Sequence, residues 1–270
     1  MYNDIPKNLF LEIIVRFLYF VRLMLDNLLT MTLVQKDVSA DAISLSQQFW
    51  YAVRTGNSSA DGILNLLKTF NQELLVGQLR NDAAKKAFWI NLYNAGVQWL
   101  LVRRPQYFHQ KNRFFRKKYF IVARHPVRLD DIEHGILRHS RIKWAMGYIN
   151  KCFPADVEKG FRVNQLDYRI HFALNCGARS CPQIAFYEPD NIDVQLNRAA
   201  KNYLQNETGY DQEHHILYLP KLLKWYWADF GGKRGIIKML TNYQIMQADK
   251  EPKVSFKRYD WTVTLKNYMS

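Results

Sequence analysis

The chain has 270 residues, 48% of them hydrophobic and 14% aromatic, and this composition excludes an intrinsically disordered protein. It carries 38 Lys and Arg against 24 Asp and Glu, so the formal net charge is +14. That charge favours an acidic partner, such as nucleic acid, anionic lipid or an anionic substrate, without selecting one of them. Three cysteines are too few for a disulfide framework and fit a reducing compartment, so we expect a cytoplasmic protein.

The first predicted element is an amphipathic helix within residues 9–34. This segment is strongly apolar, but four charged residues fall within one arc of about 120° when it is drawn as a helix. They are Glu12, Arg16, Arg22 and Asp26. The pattern predicts a helix that packs on the protein core, with peripheral contact to a membrane or a partner as the alternative, and it does not fit a membrane span.

The rest of the chain mixes helix and strand patterns. Helices are predicted over 61–75, 82–103, 131–138, 192–206, 220–231 and 233–248. Strands are predicted over 119–123, 127–129, 168–174 and 215–219. Because the strands are few and scattered among helices, we predict an α+β fold, a helix-rich domain around a small, mostly antiparallel sheet. The predicted divisions are an N-terminal helix and linker (1–60), the α+β domain (61–250) and a polar C-terminal tail (251–270).

A polar stripe crosses the predicted helix 82–103, which is otherwise apolar nearly all round. Asn91, Asn94 and Gln98 recur at spacings of three and four, so their amides share one face. A buried amide must be hydrogen-bonded. The stripe therefore either clamps a neighbouring loop or lines a site in which Asn91 and Asn94 bind substrate.

The predicted helix 131–138 carries an acidic residue followed by a histidine. His134, in the first turns of a short helix, is a candidate general base. Glu133 precedes it directly, so the two side chains diverge by about 100° and are not expected to pair. The alternative is that both groups only cap the helix and solvate its surface.

Two cysteines lie in the loop that follows the predicted strand 168–174, and loops often carry active-site residues. Cys176 precedes Gly177, whose N–H can approach an oxyanion, and the nearby Arg179 can favour a thiolate. Cys181 also qualifies, although the proline after it offers no N–H. The alternative is structural, because free cysteine commonly acts as a small buried hydrophobic group.

Metal binding competes for the same residues. Cys176 and Cys181, together with His134 or His171, could hold zinc. The gap between the two cysteines is wider than in the usual zinc sites, and the chain has no second cysteine pair. We therefore predict neither a metal nor a cofactor.

Four segments together resemble the domain-of-unknown-function family 547. They are FWINLYNA (88–95), LDDIEHGILR (129–138), RIHFALNCGARSCP (169–182) and KWYWADF (224–230). The family is thought to be distantly related to papain-like and transglutaminase-like thiol enzymes, so the resemblance implies that fold and a Cys-His-acid site. The residues that match by position are Glu133, His134 and Cys176, with His171, Asn175 and Cys181 as neighbours in the same motif.

The expected function is therefore that of a thiol-dependent hydrolase or acyltransferase. Its substrate would be an amide or thioester of unknown identity, peptide-like or anionic. Cys176 would be the nucleophile and His134 its base, with His171 as the alternative base. Glu133 or Asn175 would orient the histidine.

The competing interpretation is a non-catalytic binding module with a basic surface for an acidic partner. Basic residues between 103 and 118 interleave with aromatic ones, a pattern compatible with single-stranded nucleic acid. The basic residues are Arg103, Arg104, Lys111, Arg113, Arg116, Lys117 and Lys118, and the aromatic ones are Tyr107, Phe108, Phe114 and Phe115. A solvated face over buried aromatics gives the same pattern, so nucleic acid ranks below the small substrate.

Overall fold

The computed structural model describes residues 41–247 and 252–269, and the helix predicted within 9–34 lies outside them. The α-helices are α1 (Ala42–Thr55), α2 (Ala60–Thr69), α3 (Gln72–Gln78), α4 (Asp82–Arg103), α5 (Lys111–Arg116), α6 (Asp156–Phe161), α7 (Ile192–Glu207), α8 (Lys221–Trp225) and α9 (Gly232–Asn242). The strands are β1 (Lys118–Val122), β2 (His125–Arg128), β3 (Gly209–Asp211), β4 (Ile216–Leu219) and β5 (Lys253–Phe256). Shorter 3₁₀ helices cover Pro105–Gln110, Tyr168–Phe172 and Pro189–Asn191, and a π-helix covers Asp131–Leu137.

Helix α4 is the central element of the fold. It is buried on nearly every side, as its apolar sequence predicts, and α1 packs along it. The side chain of Asn81 caps the helix by accepting the N–H of Ala84. The helix ends before Pro105, because a proline disfavours helical backbone in the residue that precedes it.

Two small sheets accompany the helices. Strands β1 and β2 form an antiparallel hairpin. The second sheet has the order β3-β4-β5, in which β4 is antiparallel to β3 and parallel to β5. The predicted α+β class is confirmed. Strand β5 lies within 251–270, so part of the segment predicted as a polar tail completes a sheet.

Some predicted elements were wrong in kind or extent. The strand predicted over 168–174 is a 3₁₀ helix, Tyr168–Phe172, because Asp167 accepts the N–H of Arg169 and turns the chain there. The helix predicted over 61–75 is two helices, and Asn71 caps the second of them. The last two predicted helices are shorter in the structure, as α8 and α9. Within the described part of the chain, no helix has the length and apolar character needed to cross a bilayer.

Candidate functional site

A cavity of 610 Å³ lies where the π-helix, the cysteine loop, α8 and the C-terminal segment meet. Its polar lining includes Tyr93, Glu133, His134, His171, Cys176, Cys181, Tyr226 and Tyr259. Its wall also includes four lysines and three tryptophans, namely Lys111, Lys143, Lys221, Lys224, Trp144, Trp225 and Trp261. Five of the six residues predicted to be catalytic thus line one cavity, although they come from segments far apart in sequence.

The loop that carries the two cysteines is held at both ends by one side chain. Nδ2 of Asn175 donates to the carbonyl of Pro182, and its Oδ1 accepts the N–H of Gly177. Asn175 is fully buried, so these bonds are shielded from water. The predicted site residue Asn175 therefore fixes the shape of the loop, and its amide hydrogen-bonds to no histidine ring.

The two thiols touch each other within this loop. Sγ of Cys176 lies 2.6 Å from Sγ of Cys181. The sulfur of Cys181 also accepts the backbone N–H of Cys176 at 3.0 Å and the hydroxyl of Tyr259 at 3.1 Å. Because hydrogen bonds to a charged sulfur stabilise it, Cys181 is the better place for a thiolate.

The two cysteines therefore have different pKa values. Burial raises the pKa of Cys181, but the hydrogen bonds from Cys176, Tyr259 and the backbone outweigh it, so the pKa lies below its ordinary value. The hydrogen bond to Cys181 and burial both raise the pKa of Cys176. Cys176 is half-buried, whereas Cys181 is buried.

Tyr259 belongs to the segment predicted as a polar tail and was missed as a site residue. Backbone pairing between the tail and the cysteine loop holds it in place: Ser180 N–H donates to the carbonyl of Asp260, and Asp260 N–H donates to Oγ of Ser180. The signal in the sequence was the aromatic pair Tyr259 and Trp261, which is unusual for a solvated tail. Burial raises the pKa of Tyr259, so its hydroxyl stays protonated and can donate a hydrogen bond.

His134 is buried and hydrogen-bonded to the guanidinium group of Arg138. Nη1 of Arg138 lies 3.0 Å from Nδ1 of His134. Since an arginine can only donate, Nδ1 is the acceptor and the proton of the neutral ring is on Nε2. Burial lowers the pKa of His134 to about 3, and the nearby Arg138 contributes to that. His134 is thus a neutral ring whose free nitrogen already carries a proton.

His171 is oriented differently, by a carboxylate. Nε2 of His171 donates to Oδ2 of Asp229 at 2.8 Å, which leaves the lone pair on Nδ1. The ring also stacks on Tyr226, with centroids 3.8 Å apart. Burial lowers the pKa of His171, so the ring is neutral at pH 7. Asp229 was not predicted as a site residue, although it lies in the KWYWADF segment.

Glu133 binds two tyrosines and no histidine. Tyr93 donates to Oε2 at 3.0 Å, and Tyr226 donates to Oε1. The nearest His134 nitrogen lies 3.9 Å from Oε1, which is too far for a hydrogen bond. Burial raises the pKa of Glu133, but the hydrogen bond from the Tyr226 hydroxyl and the positive charge of Lys143 oppose this effect, and the pKa lies at about 2.

The predicted substrate-binding residues hold loops in place. Asn91 exchanges two hydrogen bonds with the backbone of Tyr187, and Asn94 joins the backbone of Ala173 to that of Asn175. The N–H of Gly177 is already bound to the side chain of Asn175. Asn91 and Asn94 therefore clamp neighbouring loops, which is one of the two alternatives that the sequence left for the polar stripe. A role of these residues in binding substrate stays a prediction.

Arg179 and the candidate metal ligands do not form further sites within the 610 Å³ cavity. Arg179 lines a separate cavity of 160 Å³, which Cys181 also borders. Among the residues that the structure describes, no group of three or more His, Cys, Asp and Glu side chains is arranged to hold a metal ion.

The basic and aromatic segment 103–118 is largely a solvated face. Phe108, Phe114 and Phe115 are buried, so they cannot stack on bases. Of the four aromatic residues named for nucleic-acid stacking, Tyr107 alone is partly exposed. The burial of these three rings fits the alternative of a solvated face over buried aromatics.

Residues 77–204 match the family model described as "Protein of unknown function, DUF547". Residues 77–204 are therefore similar to the DUF547 family. This confirms the resemblance to family 547, whereas the distant relation to papain-like enzymes stays a resemblance. Six of the eight polar cavity residues named above, from Tyr93 to Cys181, lie within the DUF547 match, and Tyr226, Asp229 and Tyr259 lie beyond its end. Comparison of the chain with curated proteins and with solved structures gave no match.

Proposed function

We propose that the DUF547 domain and its C-terminal segment form a thiol-dependent hydrolase or acyltransferase acting on an amide or thioester. One observation carries the proposal. The sulfur of Cys181 accepts hydrogen bonds from Cys176 N–H and the Tyr259 hydroxyl, in a cavity that His171 also lines. A nucleophile with hydrogen-bond donors and a histidine oriented by a carboxylate is the arrangement that acyl transfer requires.

The hydrogen bonds favour Cys181 over Cys176 as the attacking sulfur. A thiolate at Cys181 is stabilised by three donors, namely the N–H and S–H of Cys176 and the hydroxyl of Tyr259. Cys176 would then act as a donor that shares its proton with the thiolate. The sequence ranked Cys176 first, and the cysteine that becomes acylated distinguishes the two assignments.

His171 is the better candidate base. Its Nε2 proton is held by Asp229, so Nδ1 can accept the proton of a thiol. In His134 the hydrogen bond from Arg138 occupies the lone pair of Nδ1. Asp229 thus takes the orienting role that the sequence gave to Glu133 or Asn175.

The reaction proceeds in two balanced stages. The thiol passes its proton to His171, and the sulfur attacks the carbonyl carbon to form a C–S bond. The tetrahedral intermediate collapses, and the amine or thiol leaves with the proton from His171. Water, or an acyl acceptor, then attacks the thioester with His171 again as base, which releases the acyl group and restores the thiol.

The charge at the cavity favours an anionic substrate. Its wall carries Lys111, Lys143, Lys221 and Lys224 against one carboxylate, Glu133, which the two tyrosines already bind. Lys143 is partly neutralised by an ion pair with Asp130. Three lysines thus remain to attract an anion, and the tryptophans offer flat apolar surface beside them.

The proposal is tested by acylating the protein with p-nitrophenyl acetate, which supplies an activated acetyl group. We expect p-nitrophenol release and an acetyl group mapped by mass spectrometry to Cys181 or Cys176, with none on the exposed Cys152. Exchange of Tyr259 for Phe removes one hydrogen bond to the sulfur and should raise the pKa of Cys181. The exposed Tyr218→Phe variant is the matched control. Acetylation spread equally over all three cysteines would exclude a thiol active site.

A further inference from the structure

The two touching thiols are chemically capable of more than acyl transfer. We propose that Cys176 and Cys181 form a reversible intramolecular disulfide, with a small-molecule disulfide as the oxidant. This bond removes both of the free thiols that line the cavity. Formation of the bond is independent of the proposed function. Only its consequence, a loss of acyl-transfer activity, rests on that function.

The geometry supports a short path from dithiol to disulfide. The sulfurs lie 2.6 Å apart, whereas an S–S bond measures about 2.05 Å. The four residues between the cysteines form a tight loop, in which Cys181 N–H donates to the carbonyl of Ala178. Asn175 fixes the two ends of this loop. The two sulfurs are therefore held together in the reduced protein before any oxidant arrives.

The surroundings of the pair allow an oxidant to enter. Both cysteines line the 610 Å³ cavity, and Cys176 is half-buried, so a small molecule can reach the sulfurs. The lysines around the cavity attract anionic oxidants such as oxidised glutathione. Hydrogen bonds from Cys176 and Tyr259 favour a thiolate, which is the form that attacks a disulfide.

The exchange balances in two steps. The Cys181 thiolate attacks one sulfur of oxidised glutathione, which forms a mixed disulfide and releases one glutathione thiolate that takes up a proton. Cys176 then loses its proton, attacks the Cys181 sulfur, and releases the second glutathione. In total, the two cysteine thiols are oxidised by two electrons, and one oxidised glutathione becomes two reduced ones.

The same contacts make the bond easy to reverse. A disulfide that closes so short a loop restricts the unfolded chain least, so it adds little stability to the protein. Its formation also removes the charged sulfur that Tyr259 and the Cys176 N–H stabilise. Since a stabilised reduced form makes a disulfide more oxidising, this bond belongs with the labile, regulatory class.

The experiment uses the full chain carrying Cys152→Ala, incubated with oxidised glutathione and then blocked with iodoacetamide. We expect loss of both free thiols, a mass lower by two hydrogens, and no retained glutathione. Trypsin cleaves after Arg179, between the cysteines, so the two resulting peptides should stay linked until dithiothreitol is added. Stable glutathione adducts without the linked peptides, or two thiols that remain free, would overturn the inference.

Two controls separate this inference from the proposed function. Cys176→Ser and Cys181→Ser, each in the Cys152→Ala background, leave one thiol that can only retain a glutathione adduct. Acetylation of the reduced protein by p-nitrophenyl acetate is measured in parallel. Linked peptides without acetylation support the disulfide and count against acyl transfer. Acetylation without linked peptides does the reverse.

Discussion

Oδ2 of Asp229 lies 2.8 Å from Nε2 of His171. The same oxygen accepts a hydrogen bond from Nε of Arg138, also at 2.8 Å, and the side chains of Asp229 and Arg138 are both fully buried. Burial raises the pKa of Asp229, but the hydrogen bonds from His171 and Arg138 outweigh it, so the carboxyl group is ionised. One buried carboxylate therefore fixes the tautomer of His171 and balances the charge of Arg138.

Exchange of Asp229 for Asn tests both roles. The variant keeps a hydrogen-bond acceptor but leaves Arg138 as an unbalanced buried charge, which costs about 3–5 kcal/mol of unfolding free energy. It also removes the charge that stabilises a protonated His171, so thiol acetylation should slow at least about tenfold. Urea unfolding and the rate of p-nitrophenol release measure the two effects. A loss below 1 kcal/mol would contradict the first.

The matched control for Asp229 is Asp61. It pairs with Arg103 at 2.9 Å, and both side chains are exposed. Because exposed ion pairs contribute only about 0–1 kcal/mol, Asp61→Asn should change neither stability nor acetylation appreciably. A large effect in both variants would point to charge removal in general and not to burial.

The buried histidines predict how stability depends on pH. His134 has an ordinary pKa of 6.5, which burial lowers to about 3 in the folded protein. Between these pH values His134 is protonated in the unfolded chain and neutral in the folded protein. Its contribution to the free energy of unfolding is therefore fully present above pH 6.5 and decreases as the pH falls. Each pH unit below 6.5 costs up to about 1.4 kcal/mol. Urea unfolding from pH 7.5 to 5 measures the slope.

The range from pH 6.5 to 5 separates the histidines from Glu133. The pKa of His171 is also lowered by burial, so His171 adds a slope of the same sign. The pKa of Glu133 is 4.5 in the unfolded chain and about 2 in the folded protein, and both values lie below that window. His134→Gln should flatten the slope, whereas exchange of the exposed His214 for Gln should not. A flat profile in the parent protein would mean that both rings can be protonated while folded.

Gly177 has a backbone conformation that other residues rarely adopt. Its φ is +90°, and a Cβ added there would lie 2.3 Å from Cδ1 of the buried Leu101. Gly177→Ala should therefore lower the unfolding free energy by about 1–3 kcal/mol and displace the cysteine loop. Gly62 in α2 is the control, since its Cβ would meet nothing within 4 Å. There, Gly→Ala should stabilise by about 0.5–1 kcal/mol. Equal effects at the two positions would contradict this account.

Local patterns in the sequence predicted the elements that depend on local physics. The α4 helix was predicted from residue 82 to residue 103 because its cap, apolar face and following proline are neighbours in sequence. The run around His171 was predicted as a strand because a segment buried on all sides has no periodicity to distinguish helix from strand. The side chain of Asp167, which turns this segment, gave the only local sign.

The site was predicted in part for a similar reason. Glu133, His134, His171 and both cysteines lie in recognisable segments, so they could be named. Tyr259 reaches the cysteines across 78 residues of chain, and Asp229 reaches His171 across 58. Such contacts are set by tertiary packing, which local patterns do not encode. The tautomers of the two histidines follow from those contacts, so the choice between the two bases also required the structure.

The lysines around the cavity predict a preference for negatively charged reagents. Iodoacetate and iodoacetamide alkylate thiols by the same displacement, but only iodoacetate is anionic. The ratio of their rates at Cys176 or Cys181, divided by the ratio at the exposed Cys152, therefore reports the local potential. At low salt, we expect the ratio of the iodoacetate rate to the iodoacetamide rate to be about two- to fivefold higher at the cavity cysteines than at Cys152. This difference should fall as salt screens the lysines.

Removing two of these lysines should abolish most of that preference. Lys221 and Lys224 line the cavity from α8, and Lys224 also lies 5.5 Å above the ring of Phe256. The double Lys→Gln variant should lower the iodoacetate ratio towards that of Cys152 and leave the iodoacetamide rate unchanged. Lys201→Gln, on the exposed face of α7, serves as the control. A ratio that stays high in the double variant, or that does not respond to salt, would mean that the lysines do not set the potential at the sulfurs. The anionic substrate class would then lose its basis.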